Sequence, residues 1–130
     1  MKTQIRVRYQ ETDRMGVVYY GNYFTWFEVA RTEYFRELGL PYTRLEKEGI
    51  RLMVADAKCT YKSPATYDDL LTIETQVVNI KNTSLSFSYK IYRDEKTLIS
   101  LGESTHVFTD ERGRPTRIPA KVKEVLNVSA

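Results

Sequence analysis

The chain has 130 residues, of which 42% are hydrophobic and 28% are charged, and its formal net charge is +3 at pH 7. This length predicts one domain over residues 1–130, and the composition excludes an intrinsically disordered chain. Because basic and acidic residues are interspersed along the sequence, no nucleic-acid-binding stripe is predicted.

The first part of the chain predicts a strand, a loop and a long helix. Apolar and polar residues alternate from Gln4 to Tyr9, which is typical of a half-buried strand. Acidic residues and Gly16 then indicate a loop. From Asn22 the apolar residues follow helical spacing, with Gly21-Asn22 as the N-cap and Gly39 followed by Pro41 as the stop. The buried stripe of this helix is Tyr23, Phe27, Ala30, Tyr34 and Leu38.

The rest of the chain predicts two short helices and four strands. Helical segments are expected from Pro41 to Glu48 and from Pro119 to Leu126. The expected strands are Arg51–Tyr61, Leu71–Ile80 with a bulge near Val77-Val78, an alternating stretch around residues 84–91, and Leu98–Thr109.

This order of elements predicts an α+β fold with one five-stranded antiparallel sheet and one main helix against it. Ser100, Gly102 and Ser104 make one face of the last strand small, which would let a helix approach the sheet closely. Because an open sheet has two edges, pairing with a second copy of the chain is the simplest way to cover one of them. A homodimer is therefore expected.

Cysteine and histidine are rare in this sequence, which narrows the possible chemistry. Cys59 is the single cysteine and His106 the single histidine. They can form neither an internal disulfide nor the usual zinc ligand sets, so no metal or cofactor is expected. The first residues lack an apolar signal region, and no stretch reaches the roughly eighteen apolar residues of a membrane span. We expect a reduced, cytoplasmic protein with no membrane span.

The loop before the long helix is the best candidate for a catalytic site. It places the carboxylate of Asp13 shortly before a helix N-terminus, whose free N–H groups can stabilise a carbonyl oxygen that develops negative charge. A carboxylate beside such donors can hydrolyse an activated acyl group, although loop aspartates are often only caps.

Three other features suggest different chemistry. Glu28 lies in the middle of the long helix, where it would line a pocket or form an ion pair with Arg31. His106 could be a hydratase base, but it lies in the middle of a strand and is expected to be structural. Gly16 and Gly21 have the glycine spacing of a phosphate-binding loop, but Asn22 and Tyr23 replace the required Lys and Ser or Thr.

Two motifs carry a resemblance to a known family. The first is Thr12-Asp13-x-x-Gly16-Val17-Val18-Tyr19-x-x-Asn22-Tyr23-x-x-Trp26-Phe27-Glu28-x-Ala30-Arg31, and the second is Tyr61-Lys62-Ser63-Pro64-Ala65-x-x-Asp68-Asp69-Leu70-Leu71. Both resemble hotdog-fold acyl-CoA thioesterases, in particular the 4-hydroxybenzoyl-CoA thioesterase and YbgC-like branch. The resemblance covers nearly the whole chain.

The resemblance implies a hotdog fold, in which a curved sheet wraps one long helix, and a homodimer or homotetramer with active sites at the dimer interface. It assigns the catalytic carboxylate to Asp13 and the donor at the helix N-terminus to the backbone N–H of Tyr20. YbgC-like members commonly carry His where this chain has Tyr20. The expected substrate is an acyl-CoA, with acyl carrier protein as an alternative carrier, and Asp13 would act as nucleophile or as general base.

The remaining site residues are expected to contact the substrate. Substrate-binding positions are predicted at Tyr9, Tyr19, Gly21, Asn22, Lys62 and Ser63. Lys62 is the preferred cation for the phosphates of CoA, and Lys58, Lys81 and Arg93 are weaker candidates. Tyr23 and Trp26 could contribute to the acyl pocket or to the core. The alternatives to a thioesterase are a hotdog hydratase or dehydratase and a non-enzymatic acyl-CoA-binding module.

Overall fold

A five-stranded antiparallel sheet and one long helix organise the chain in the computed structural model, which describes residues 1–129. The strands are β1 (Lys2–Arg6), β2 (Arg51–Tyr61), β3 (Leu70–Ile80), β4 (Ser84–Arg93) and β5 (Thr97–Thr109). The helices are α1 (Asn22–Glu37), α2 (Tyr42–Lys47) and α3 (Ala120–Ser129), and a single 3-10 turn spans Tyr9–Glu11. The strand order is β1-β3-β4-β5-β2, so β1 and β2 form the two edges.

The predicted α+β class and the long helix are confirmed. On α1, Tyr23, Phe27, Ala30 and Tyr34 are all at most 5% exposed, because their helical spacing turns them towards the sheet. The stripe packs on the buried side chains of β4, where the ring of Phe27 stacks on Tyr89 at a centroid distance of 4.4 Å. This aromatic layer is the centre of the core.

Close approach of α1 to the sheet depends on Gly102 of β5. A Cβ atom at this position would lie 2.3 Å from Cζ of Phe27, well inside van der Waals contact. The predicted role of the small face of β5 is therefore confirmed at this residue. The expected bulge in β3 is confirmed as well, because the register against β4 shifts between Val77 and Asn79.

The predicted end of the first strand is wrong. The strand spans Lys2–Arg6 and does not continue to Tyr9, because the chain turns into the 3-10 helix. The carboxylate of Glu11 accepts a hydrogen bond of 2.8 Å from the backbone N–H of Arg8, and this bond closes the turn. A local bond between side chain and backbone thus overrides the alternating pattern.

Strand β2 differs from the other strands in its exposure. It is a sheet edge, and its middle section is exposed, including Met53 at 52% and Val54 at 59%. Its register against β5 shifts between Val54 and Asp56. None of the helices within residues 1–129 is long and apolar enough to cross a membrane.

Candidate active site

A tight turn holds Asp13. Its backbone N–H donates to the carbonyl of Val17 at 2.9 Å, and its carbonyl accepts from the N–H of Gly16 at 3.0 Å. Gly16 has φ +80°, which favours glycine and closes a three-residue loop of this kind. Oδ1 of Asp13 accepts a hydrogen bond of 2.9 Å from the N–H of Met15, so the carboxylate itself is oriented by the turn.

Main-chain contacts join the two sequence motifs. The N–H of Val18 donates to the carbonyl of Ala65 at 2.8 Å, and Val17 forms an isolated bridge with Thr66. Ala65 is fully buried. The turn that carries Asp13 is therefore fastened to the segment that follows β2, which explains why both motifs belong to one site.

The N-terminus of α1 presents backbone donors next to this turn. Gly21 is the N-cap and supplies no side-chain cap. The N–H of Asn22 donates to the carbonyl of Tyr19 at 3.0 Å, whereas within residues 1–129 the N–H groups of Tyr20 and Gly21 have no acceptor. Unpaired N–H groups at a helix start carry partial positive charge and can bind an oxyanion.

Asp13 and the helix start line one cavity of about 320 Å³. Four of the predicted site residues are brought together there: Asp13, Tyr20, Lys62 and Ser63. Tyr23 and Tyr61 form part of an aromatic wall of the same cavity. A hydrophobic cavity with a few polar groups is typical of a small-molecule site.

The other four predicted positions lie outside this cavity. Tyr9 is 76% exposed and its ring packs on Tyr67. The ring of Tyr19 packs at a tilt against the ring of Tyr20, and Gly21 lies against Tyr19, since a Cβ atom there would be 2.9 Å from the Tyr19 ring. The side-chain amide of Asn22 donates to the carbonyl of Glu11 at 2.8 Å.

Glu11 supports the site and was missed by the sequence reasoning. It is 5% exposed, and its carboxylate accepts hydrogen bonds of 2.8 Å from the indole N–H of Trp26 and from the backbone of Arg8. Burial raises the pKa of Glu11, but the hydrogen bonds from Arg8 and Trp26 outweigh it and hold the pKa below its usual value. Its carbonyl also accepts from the N–H of Tyr19 at 2.9 Å, so Glu11 ties the Asp13 turn to α1.

Tyr61, the last residue of β2, was placed in the second motif but not among the predicted site residues. Its hydroxyl donates to the carbonyl of Tyr20 at 2.9 Å, and its ring packs edge-on against Tyr23 at 5.0 Å. Burial, followed by the neighbouring Cys59, raises the pKa of Tyr61 to about 12. No sequence signal reveals this contact, because the two partners are 41 residues apart.

A second cavity of about 680 Å³ lies between α1, α2 and β2, and Glu28 and His106 are among the residues that line it. Glu28 is exposed and lines it. Within residues 1–129 it forms no ion pair with Arg31, so of its two expected roles the structure shows the pocket-lining one. Arg31 instead donates to the hydroxyl of Tyr89 at 3.2 Å.

His106 is fully buried and lies outside the cavity of Asp13. Its Nε2 lies 2.8 Å from Oγ of Ser104, which in turn contacts the hydroxyl of Tyr89 at 2.7 Å. Burial, and then the positive charge of Arg31, lowers the pKa of His106 to about 4. The ring is neutral at physiological pH, in keeping with a structural residue.

The predicted cations differ in their surroundings. Lys62 is exposed at the cavity of Asp13. Lys58 pairs with Glu103 at 3.2 Å. Arg93 donates to the carbonyl of Pro64 at 2.9 Å and pairs with Asp69, so it holds the segment after β2 in place. Lys62 is the cation best placed to meet a ligand in this cavity.

The fold and this site define a hotdog-type thioesterase, and comparison with known proteins agrees. The family model described as "Thioesterase-like superfamily" matches residues 7–126. A putative acyl-CoA thioesterase from Bacillus subtilis, YneP, is 36% identical over 85% of this chain and 80% of that protein. The acyl-CoA thioester hydrolase YbgC of Escherichia coli O6:H1 is 34% identical over 91% of this chain and 89% of that protein.

A solved structure shares the same architecture. The DHNA-CoA thioesterase of Staphylococcus aureus superimposes with a TM-score of 0.93 at 34% identity, over 98% of this chain and 88% of that chain. The chain belongs to the thioesterase-like superfamily of hotdog-fold proteins.

Proposed function

We propose that this chain is an acyl-CoA thioesterase, which hydrolyses a thioester to a carboxylate and a free thiol. The observation that carries the proposal is the single cavity shared by Asp13, the start of α1 and Lys62. The two relatives described above match this chain over most of their length and are named as an acyl-CoA thioesterase and an acyl-CoA thioester hydrolase. A thioester needs no metal for hydrolysis, because a thiolate is a good leaving group.

In the proposed mechanism, the thioester carbonyl oxygen accepts a hydrogen bond from the backbone N–H of Tyr20. This donor stabilises the negative charge that develops on the oxygen, which for one such donor in other enzymes is worth about 2.7–4 kcal/mol. Asp13 then acts in one of two ways. As a nucleophile it attacks the carbonyl carbon and expels the thiolate, and water hydrolyses the resulting anhydride. As a general base it removes a proton from water, whose oxygen adds to the carbonyl carbon, and the C–S bond then breaks to release the thiolate.

Lys62 and Ser63 line the cavity and are proposed to hold the CoA portion. Tyr9, Tyr19, Gly21 and Asn22 do not line it, and their contact with substrate stays a prediction from the sequence. Acyl carrier protein presents the same pantetheine arm, so it is a second candidate carrier. We propose a single domain over residues 1–130. The exposed edge strand β2 supports a homodimer or homotetramer. The single cysteine is not in a disulfide, which supports a cytoplasmic location.

A panel of acyl-CoA and acyl-carrier-protein thioesters, followed with a thiol-reactive dye, tests this function. We expect the wild-type chain to release thiol from at least one thioester. Asp13→Asn should bind the same substrate and lose about 10²- to 10⁴-fold in kcat, because a carboxamide is neither a nucleophile nor a base. Near-normal turnover by Asp13→Asn would contradict the role of Asp13, and binding without turnover by the wild type would favour an acyl-CoA-binding module.

Rapid quenching of a single turnover distinguishes the two roles of Asp13. A nucleophilic mechanism leaves the acyl group transiently attached to the peptide that contains Asp13, where mass spectrometry detects it. A general-base mechanism forms no covalent intermediate. A hydratase is disfavoured because His106, the only histidine, is buried away from this cavity.

A further inference from the structure

Two buried side-chain nitrogens are unpaired at the second cavity, the one of about 680 Å³ between α1, α2 and β2. Within residues 1–129, Nε of Arg31 and Nδ1 of His106 are both shielded from solvent and have no hydrogen-bond partner. Both side chains line this cavity. Buried polar atoms in folded proteins are nearly always paired, so two unpaired ones at a single cavity point to a missing ligand.

A chain of hydrogen bonds shows which nitrogen of His106 carries the proton. A guanidinium can only donate, so the hydroxyl of Tyr89 accepts from Nη1 of Arg31 at 3.2 Å. Each hydroxyl hydrogen then has an acceptor only if Tyr89 donates to Oγ of Ser104 at 2.7 Å and Ser104 donates to Nε2 of His106 at 2.8 Å. A neutral imidazole has one proton, which is therefore on Nδ1. Nδ1 is thus a donor, like Nε of Arg31.

The guanidinium of Arg31 is half-buried and has no ion pair within residues 1–129. Glu28, Glu46 and Arg51 also line the cavity, and all three are exposed. The two arginines and the two glutamates balance in charge. A ligand with one negative charge therefore fits this cavity better than a dianion such as a phosphate monoester, which both glutamates would repel more strongly.

Tyr42 and four apolar residues complete the lining of the second cavity: Ile50, Leu52, Met53 and Val54. An inorganic anion would leave these apolar side chains without a partner, whereas a hydrocarbon group would cover them. The volume lies in the range of small-molecule sites, which combine apolar walls with a few polar groups.

We propose that the second cavity binds a monocarboxylate with an apolar body, whose carboxylate pairs with the guanidinium of Arg31 and accepts a hydrogen bond from Nδ1 of His106. An ionised carboxylate only accepts hydrogen bonds, so it gives both unpaired donors a partner. The apolar body lies along the hydrophobic part of the lining. This site shares no residue with the cavity of Asp13, and the inference does not depend on thioester hydrolysis.

The single imidazole makes this site visible by NMR in the wild-type chain. Long-range nitrogen–proton correlation should show a neutral His106 ring with its proton on Nδ1. Octanoate should shift these signals saturably, with a Kd below about 1 mM. Octanamide has the same hydrocarbon body without the charge, and it should bind about tenfold more weakly or less. A proton on Nε2, or octanoate that leaves the signals of His106 unchanged, would overturn the proposal.

Arg31→Gln removes the cation of the site, and Arg36→Gln is the matched control. Arg36 lies on the same helix, pairs with Glu33 and does not line the cavity. In the same titration, Arg31→Gln should weaken octanoate binding by about tenfold or more, whereas Arg36→Gln should match the wild type. Equal affinity in Arg31→Gln and the wild type would refute the proposal. The wild-type titration needs no variant, so it decides the proposal by itself if Arg31→Gln does not fold.

Discussion

The single histidine of the chain makes the pH dependence of its stability testable at one residue. His106 is fully buried and stays neutral, with a pKa of about 4 instead of its ordinary value of 6.5. Below pH 6.5 the unfolded chain takes up a proton on this ring that the folded chain does not accept until the pH approaches 4. The free energy of unfolding should therefore fall as the pH is lowered through this window.

The difference between the two pKa values sets the size of the effect. At about 1.4 kcal/mol per pKa unit, the full loss between pH 6.5 and pH 4 is about 3 kcal/mol, of which about 2 kcal/mol is reached by pH 5. The interval from pH 7 to pH 5 is the informative one, because His106 is the only imidazole and most carboxylates remain ionised there.

Urea unfolding at several pH values between 7 and 5 measures this slope. His106→Gln is the control, because an amide can keep a hydrogen bond to Ser104 but does not titrate, and its stability should be nearly flat over the same range. The imidazole proton resonances of the folded wild type should also stay constant down to pH 5. A histidine that titrates near pH 6.5 in the folded state, or a wild-type slope equal to that of His106→Gln, would refute this reasoning.

Three further predictions concern packing, substrate affinity and assembly. Gly102→Ala should lower the free energy of unfolding by about 1–3 kcal/mol, because the new methyl group overlaps the ring of Phe27. Adding Phe27→Leu should recover part of the loss. A wild-type urea midpoint for the single variant would contradict this. Lys62→Ala should raise KM for CoA esters with little change in kcat, and salt should raise the wild-type KM through screening; an unchanged KM places the phosphates elsewhere. Sedimentation should detect dimers or tetramers, because β2 is an exposed sheet edge, and a folded, active monomer would rule out that assembly.

Much of the fold could be predicted from hydrophobic periodicity. The α1 stripe and the alternation on β4 were readable because each buried face follows the period of its own element. The end of the first strand was not readable in this way. The strand ends where the side chain of Glu11 forms a hydrogen bond with the backbone of Arg8. The alternation of apolar and polar residues does not reveal such a bond.

The site was predictable where it depends on motifs and less so where it depends on contacts distant in sequence. Asp13, Lys62 and Ser63 are named in the two motifs, and Tyr20 was implied by the family resemblance that the motifs carry. All four line the observed cavity. The hydrogen bond from Tyr61 to Tyr20 joins residues on different elements, and so does that from Trp26 to Glu11. Spacing within one segment cannot reveal such pairs, because they exist only once the sheet and helix have packed.

The turn around Asp13 is built almost entirely from main-chain bonds, with glycine required at Gly16. Met15, by contrast, contributes its N–H to Asp13 while its side chain is 80% exposed at the cavity rim, and the neighbouring Arg14 is exposed as well. Side-chain identity at these two positions is thereby uncoupled from the geometry of the carboxylate. A library that varies only residues 14 and 15 should therefore leave the main-chain turn around Asp13 intact, and Met15 is the one of the two whose side chain lines the cavity.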